Sequence, residues 1–347
     1  MNVDSEFVFE LGVCAWAERN WPPEGTLPPG TTAIVARQLG TKYRRWDTVV
    51  VEANTRKLAE RARFGTKRLD SDLLGVVRNA PAEWAWYREC LPEPDYPWRY
   101  VREAVHRAAG RGIVETRRRN NRIELRRKWA YPDWVERVVA IENKPDLTAS
   151  AARALAGQIE RDVALGLCDE VWVATARTDD AVEPVLLRDF PVEAGVLVVD
   201  TDGESGTDAE VVWHPRTLAA REPGTRITER ATSGNAAEFE YASREWKAEK
   251  RLGIAERAYE RGWRSYVDTM RPDCRHFELR VENGTTLPWC AAKGYHQSAT
   301  ECAWSCGSFE PEPPAWRSRG WPIEGGPGKA IKRLLADQRE RNRPDLD

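Results

Sequence analysis

A carboxylate and an amine two residues apart, Glu142 and Lys144, close the apolar run Val138-Val139-Ala140-Ile141 just ahead of Pro145. Successive side chains of a strand alternate faces, so these two charges project on one side and Asn143 on the other. Pro145 has no amide hydrogen to give a sheet ladder, which predicts that the strand stops there with both charges at its end. An acid and an amine at a sheet rim suit metal binding and the activation of water. Taken alone, Glu-x-Lys is an ordinary surface ion pair, so the elements around it decide which reading holds.

Residues 5–18 carry Phe7, Phe9, Leu11, Val13, Cys14 and Trp16 behind Ser5 as a possible N-cap, and read as a mostly buried helix. Two β-branched runs at 32–36 and 47–51 read as strands. The strand ending in Glu142 comes next among the core elements. It is followed by an amphipathic helix over 151–165 and a buried strand at 170–174. A hairpin is expected from 195–199 and 210–213, through the turn-rich segment 200–203. Residues 216–237 are polar and rich in turn formers, the composition of a linker. A charged helix over 238–263, a cysteine-bearing segment at 271–309 and a tail with a basic helix near 329–341 complete the chain.

Bulk properties narrow the class. The chain of 347 residues has room for two or three compact units. Its 53 Lys and Arg against 55 Asp and Glu leave a net charge of -2, so only local clustering can point to a polyanion partner. No apolar run approaches the roughly 20 residues that span a bilayer, and Met1–Glu6 lacks the basic start of a secretory signal. The reading is a cytoplasmic protein with no membrane partner, whose 7 cysteines stay reduced. The 16 Trp are read as fillers of cores and interfaces rather than as a base-stacking platform.

Helix, strand, strand, strand with Glu142-Asn143-Lys144, helix over Ala156-Gly157-Gln158-Ile159-Glu160-Arg161-Asp162, then the strand Val171-Trp172-Val173-Ala174 is an order with a counterpart. In it the chain resembles the PD-(D/E)XK nuclease superfamily, in particular its Holliday-resolvase and RecB-like members, over about residues 5–53 and 129–200. The resemblance implies an α/β fold with a restriction-endonuclease-like αβββαβ core. It also implies a second metal-binding acid upstream of Glu142. Asp133 follows a proline, but an extended segment from Asp133 to Glu142 separates the two acids by about 30 Å. A hairpin between them would need turn residues that the sequence 134–141 lacks. Asp47, at the head of the preceding core strand, lets neighbouring strands bring two acids together and is the choice.

Asp47 and Glu142, with the backbone carbonyl of Asn143, then offer hard oxygen ligands for Mg²⁺ or Mn²⁺. By the same resemblance Lys144 positions the attacking water, Glu10 is an accessory acid and Gln158 a polar residue that the second helix turns toward the site. One feature departs from the pattern: a long insertion, residues 54–128, separates core strands that family members connect tightly. The core is thus 1–53 with 129–215.

The insertion has its own signature. A helix ended by Gly110, a strand at 113–116, the basic turn Arg117-Arg118-Arg119-Asn120-Asn121-Arg122 and a strand at 123–126 resemble the recognition helix and wing of a winged helix-turn-helix domain. Residues 107–128 hold nine Lys or Arg against two acids, a cluster that attracts the phosphates of DNA. Arg107, Arg111, Arg117, Arg118, Arg119, Arg122 and Arg126 are the candidate contacts, to backbone more than to bases. The alternative is a solvated charged hairpin.

Cys274, Cys290, Cys302 and Cys306 fall in a short segment poor in apolar residues, within 238–310, where a metal is an available staple. Four thiolates suit Zn²⁺ or an iron–sulfur cluster, and His276 or His296 is able to replace one of them. Cys14, Cys90 and Cys168 sit among apolar residues and read as core. The whole chain also resembles an uncharacterised archaeal family combining these parts. The expectation is a metal-dependent DNA nuclease of DNA processing or repair, whose oligomeric state the sequence leaves open, a homodimer among the options. The rivals are a DNA-binding regulator with an inert nuclease-like core and a protein-binding adaptor. Residues 311–347 form the tail.

Overall fold

The computed structural model describes residues 3–177, 190–200, 208–230, 237–282 and 285–311, with five further positions between 331 and 337. The elements are, in chain order, α1 (Val3–Asn20), β1 (Thr31–Gly40), β2 (Arg45–Asn54), α2 (Thr55–Ala62), α3 (Ser71–Asn79), β3 (Ala85–Trp86), α4 (Tyr87–Cys90), α5 (Trp98–Gly110), β4 (Val114–Arg119) and β5 (Arg122–Arg127). They continue with β6 (Val135–Asn143), α6 (Ala149–Leu165), β7 (Glu170–Ala176), β8 (Gly195–Asp200), β9 (Asp208–Trp213), β10 (Gly224–Arg230), β11 (Ala237–Ala242), α7 (Arg244–Arg261), β12 (Phe277–Glu282), β13 (Thr285–Cys290) and β14 (Tyr295–His296).

A mixed sheet of order β1-β2-β6-β7-β8-β9 organises the α/β fold. β1 pairs antiparallel with β2 and β2 with β6, whereas β6, β7 and β8 are parallel and β9 turns back along the edge. A parallel connection needs a crossover, and α6 supplies it between β6 and β7. Thr148 caps that helix by accepting the Ala151 amide at 3.2 Å, and Gly166 ends it in the left-handed region at φ 50°. The apolar run of β6 is buried on both faces: Val139 and Ile141 pack with α1, Val138 and Ala140 with α6 and α7. Polar residues are confined to the two ends of this strand, Glu136 and Arg137 at the start and Glu142 and Asn143 at the close.

The insertion folds around its own core of Phe64, Leu73, Val77, Val105, Leu125 and neighbours. Its strands form a sheet of order β3-β5-β4 against α3 and α5, and Asn120 and Asn121, at φ 47° and 61°, make the two-residue turn between β4 and β5. Helix α2 does not belong to it. Asn54 caps α2 directly off β2, and Leu58 is buried in the main core, so the insertion begins after this helix rather than at residue 54.

Two other expectations change. Part of the segment read as a linker is strand: β10 pairs with β11, and Ile227 is buried against the main core. The charged helix accordingly starts at Arg244, behind an N-cap from Ser243, not near 238. The cysteine segment is no separate unit either, since Phe277, Leu287 and Cys302 are buried in one cluster with Phe7, Leu11 and Cys14 of α1. Its sequence is poor in apolar residues, but Phe277, Leu287 and the partly buried Leu279 pack in that cluster, while Val281 and Trp304 stay exposed. Of the expected turn at 200–203, residues 201–203 lie outside the described residues, as does most of the tail; Ile331, Arg333, Leu334, Ala336 and Asp337 are helical.

Glu256 of α7 joins the insertion to the core. It accepts bonds from Arg61 at 2.8 and 2.6 Å, the Tyr131 hydroxyl at 2.6 Å and the Leu69 amide at 2.7 Å. Arg61 and Glu256 are both fully buried. Glu256→Ala would strand a buried guanidinium, and should cost about 3–5 kcal/mol in urea unfolding; a loss under about 1 kcal/mol would show that this pair does not hold the two parts together.

Candidate functional site

The carboxyl end of β6 is where charge gathers. Thr48 stands opposite Ile141 in the β2–β6 ladder, so the next opposed positions are Asp47 and Glu142, with side chains on one face. The Asp47 carboxylate also accepts the amide of Asn143 at 3.0 Å. Asn143 itself points the other way, as alternation requires, and its side-chain amide donates to Thr48 Oγ1 at 3.0 Å. Glu142 is only 4% exposed. Burial, and after it the neighbouring charge of Asp47, push its pKa well above the ordinary carboxylate range.

Each acid is held by an amide. Gln158 of α6 donates to Glu142 Oε2 at 2.5 Å. Gln38 of β1 donates to Asp47 Oδ1 at 3.1 Å and to Glu10 Oε1 at 2.9 Å, bridging the accessory acid on α1 to the site. Glu10 is further clamped by Arg37 at 3.1 and 2.9 Å, while burial raises its pKa. Asp47, Glu142, Gln158 and Glu10 are therefore brought together. Lys144 is not: its ammonium lies 3.4 Å from Glu6, one helical turn before Glu10, and not on Glu142.

Two residues that carry the arrangement, Gln38 and Arg44, escape a reading of the sequence. Gln38 sits at φ 53°, a left-handed backbone uncommon for a side chain of this kind. That kink breaks strand alternation, so Ala36 and Leu39 enter the same core and the Gln38 amide reaches both acids. Arg44 lies buried in the turn before β2, donates to Glu142 and binds Asp162 at 2.5 and 2.6 Å. Burial works against the charge of Arg44, but these two carboxylates outweigh it and raise its pKa. The turn requires Gly40, where a Cβ would meet Arg44 O at 2.0 Å. Asp162 had a legible signal, since it follows Gln158 by four residues and so shares its helix face; nothing local marks Gln38 or Arg44.

Among the described residues no group of three or more His, Cys, Asp or Glu is drawn together tightly enough to hold a metal ion. Burial raises the pKa of Cys302, and the charges of Cys274, Cys306 and Cys290 all act on it further. Backbone amides point at the sulfurs: Arg271 N–H bonds Cys302, and Glu310 N–H lies 3.5 Å from Cys274 Sγ. Cys290 faces Phe277 across the β12–β13 ladder, three residues beyond Cys274. His276 and His296 turn to Glu310 and Glu282 instead.

The basic face of the insertion is more self-satisfied than its composition suggests. Arg117 pairs with Glu124 and Arg126 with Glu115, each directly opposed across the β4–β5 ladder, and both guanidinium groups stack on Trp84. Arg107 binds Asp70 and Asp72, Arg111 caps the carbonyls of Phe64, Lys67 and Arg68, and Arg122 lies on Trp86 and 3.7 Å from Glu89. Close packing of like charge is thus relieved internally, by acids and indole rings. Arg118 and Arg119, at the tip, have no ion pair among the described residues, and exposed Arg99, Arg102 and His106 on α5 extend the same chemistry.

Fold and site together define a mixed α/β protein with a buried acid cluster at the end of its central strand and a basic inserted module. The chain belongs to DUF5787, a family of unknown function, whose model matches residues 34–311. No curated protein and no solved structure matches it. Among the described residues no helix is long and apolar enough to cross a membrane.

Arg44→Ala should leave Glu142 and Asp162 buried without their counter-charge and lower stability by about 3–5 kcal/mol. Millimolar Mg²⁺ or Mn²⁺ should restore part of that loss in thermal unfolding and raise the midpoint more than it does for the unaltered chain. An equal response in both proteins would mean that no cation takes the place of Arg44.

Proposed function

We propose that this protein is a metal-dependent nuclease that hydrolyses phosphodiester bonds of DNA. The observation that carries the reading is the opposed pair Asp47 and Glu142, each oriented by a glutamine, at the end of the strand that also bears Lys144. The surrounding order supports it: α1, then antiparallel β1, β2 and β6, then α6 and the parallel β7, is the αβββαβ order of the resemblance. For the insertion, a helix, short strand, two helices and a two-stranded wing, with sheet order β3-β5-β4, support the winged-helix reading and DNA as the partner.

The donor set fits a hard divalent cation. Two carboxylates on adjacent strands repel each other, and each oxygen already bonded by protein keeps a lone pair. Asp47 and Glu142, with the Asn143 carbonyl, would hold Mg²⁺ or Mn²⁺. Such an ion supplies an acidified water and offsets negative charge on a phosphate oxygen. Gln158 and Gln38 fix which carboxylate oxygens face the phosphate. Lys144 is bound only to the exposed Glu6, a pair that is exchanged at little cost; it is free to turn to the attacking water and to the charge that builds on phosphorus. For the cysteines the reading is one Zn²⁺, or an iron–sulfur cluster, held by Cys274, Cys290, Cys302 and Cys306, the backbone amides stabilising their thiolates.

A second reading, a DNA-binding regulator with an inert core, is favoured by one contact. Arg44 already gives Glu142 a buried cation, so this carboxylate is neutralised by the protein itself. Labelled branched and linear DNAs incubated with Mg²⁺ or Mn²⁺ separate the two readings. Glu142→Ala and Lys144→Ala should each abolish cleavage and leave DNA affinity within about twofold, because chemistry and binding lie in different parts. Cleavage that survives both changes would assign it to another site.

Replacing Arg99, Arg102, Arg118 and Arg119 by Gln should weaken DNA binding and flatten the slope of log affinity against log salt by about 0.9 for each phosphate that is no longer neutralised. An unchanged slope would make the insertion a solvated face. Elemental analysis of the purified chain should find about one zinc per molecule, or iron with visible absorption. Chelation should then speed hydrogen exchange within 271–309 before the main sheet responds. A metal-free chain with unchanged exchange would leave these as ordinary cysteines.

A further inference from the structure

A cavity of about 680 Å³ lies between the β1–β2 turn, the start of α3, β10 and α7. Its size is that of a small-molecule site, and its lining is unusual in sign: Lys42, Arg68, Arg226, Lys250 and Arg257 against Asp70 and Glu249. Both acids are already engaged, Asp70 by Arg107 and Glu249 by Lys250. Two cations are left over. Arg257 donates only to the carbonyls of Gly253 and Gly40, and Lys42 rests 4.8 Å from the Tyr43 ring centre; neither has a carboxylate partner among the described residues.

Independent features point the same way. Burial and the like charges of Arg68 and Arg261 press on Arg257 and lower its pKa. A guanidinium held in that state gains most from a bound anion. The wall carries flat aromatic surface as well, in the half-buried Trp246 and Tyr43. Trp246 has Arg226 at 5.9 Å and Lys250 at 5.8 Å from its ring, so stacking surface and positive charge lie side by side. Leu69, Leu165 and Ile227 supply apolar floor. A free inorganic anion would use the charge and leave the rings and apolar wall unused; a base with its phosphate uses all three.

The position of the cavity adds a function. Its rim, Gly40 to Tyr43, runs straight into Arg44, whose guanidinium holds Glu142. The turn is thus a shared wall, with the cavity on one side and the buried acid cluster on the other. We propose that this cavity binds a single unpaired nucleotide, its base against Trp246 and Tyr43 and its phosphate against Arg257 and Lys42. That the nucleotide is the unpaired end of the strand being cut, which makes DNA with frayed or single-stranded ends the substrate class, rests on the nuclease reading above. Binding of the nucleotide itself does not rest on it.

Isothermal titration without divalent cations tests the pocket, using thymidine 5′-monophosphate, thymidine and inorganic phosphate as separate ligands. The monophosphate should bind at submillimolar concentration, with the other two at least about tenfold weaker, since each lacks one half of the recognition. Lys42→Gln and Trp246→Leu should each weaken it by about tenfold. Lys42 is exposed, so its replacement leaves folding intact, and an unchanged thermal midpoint verifies this for both variants. No monophosphate binding at millimolar concentration, or variants that bind as well as the parent, would overturn the proposal. Inorganic phosphate binding as tightly as the monophosphate would overturn it in favour of a plain anion site. A parallel cleavage assay keeps the two readings apart. A chain that binds the monophosphate but cuts no DNA retains the pocket and loses the nuclease; one that cuts DNA with no monophosphate binding loses only the pocket.

Discussion

Burying a carboxylate is the constraint on which the rest of this structure depends. Glu142 sits at the end of a strand that is apolar on both faces, and so it is held out of water. Leaving it there uncompensated would cost several kcal/mol. Compensation comes from two elements at once: Arg44 from the turn before β2, itself held by Asp162 of α6, and the amide of Gln158 on α6; Asp47, across the ladder, adds a second negative charge and is bonded by the Asn143 amide instead. The cluster therefore requires the antiparallel β1–β2–β6 unit and the α6 crossover to be assembled together.

The same demand shapes the backbone. A side chain that bonds acids on α1 and on β2 cannot come from a regular strand position, because alternation would send it to one face only. Gln38 meets the demand by adopting a left-handed conformation that costs about 1–2 kcal/mol for a side chain with a Cβ. Strain of this kind persists where the surroundings over-determine it and gathers at functional sites. Gly40, two residues on, lets the turn close tightly enough to deliver Arg44. Two adjacent irregularities thus orient the acids that the regular sheet brings opposite each other.

Charge is handled differently in the insertion. There the ion pairs lie on the surface, set by register: an acid and an arginine face each other twice across the β4–β5 ladder. Such pairs are weak individually and leave the tip, Arg118 and Arg119, as open cations. The bonds that matter for stability are elsewhere, at Glu256, where four donors converge on one buried carboxylate and tie α7 to both connections of the insertion. A module so anchored would move with the core, a geometry suited to the proposed presentation of DNA to a fixed site.

Periodicity and turn chemistry made much of this fold legible from the chain. Helix 3–20, the strands around Val49 and Val139, the crossover helix, the hairpin of 195–213 and the strand pair around Asn120 all follow local rules of alternation, capping and left-handed turns. The pairing of Asp47 with Glu142 was legible too, because a strand headed by one acid and a strand ended by another need only be antiparallel neighbours. Composition was a poorer guide. Residues 224–230 look like a linker until β11 pairs with them, and the cysteine segment looks unsupported until Phe277 and Leu287 pack in one cluster with α1. The arginines at 107–126 look unpaired until cross-strand register gives Arg117 and Arg126 an acid each and contacts beyond the hairpin engage Arg107, Arg111 and Arg122. Local sequence determined which elements form and which faces are apolar, since those depend on residues within a few positions. Only the tertiary structure decided what lies opposite each charge: that Arg44 meets Glu142, that Lys144 meets Glu6, and that Arg257 meets no acid among the described residues. Electrostatic partners are set by distance in space, and residues 44 and 142 become neighbours only when the sheet closes.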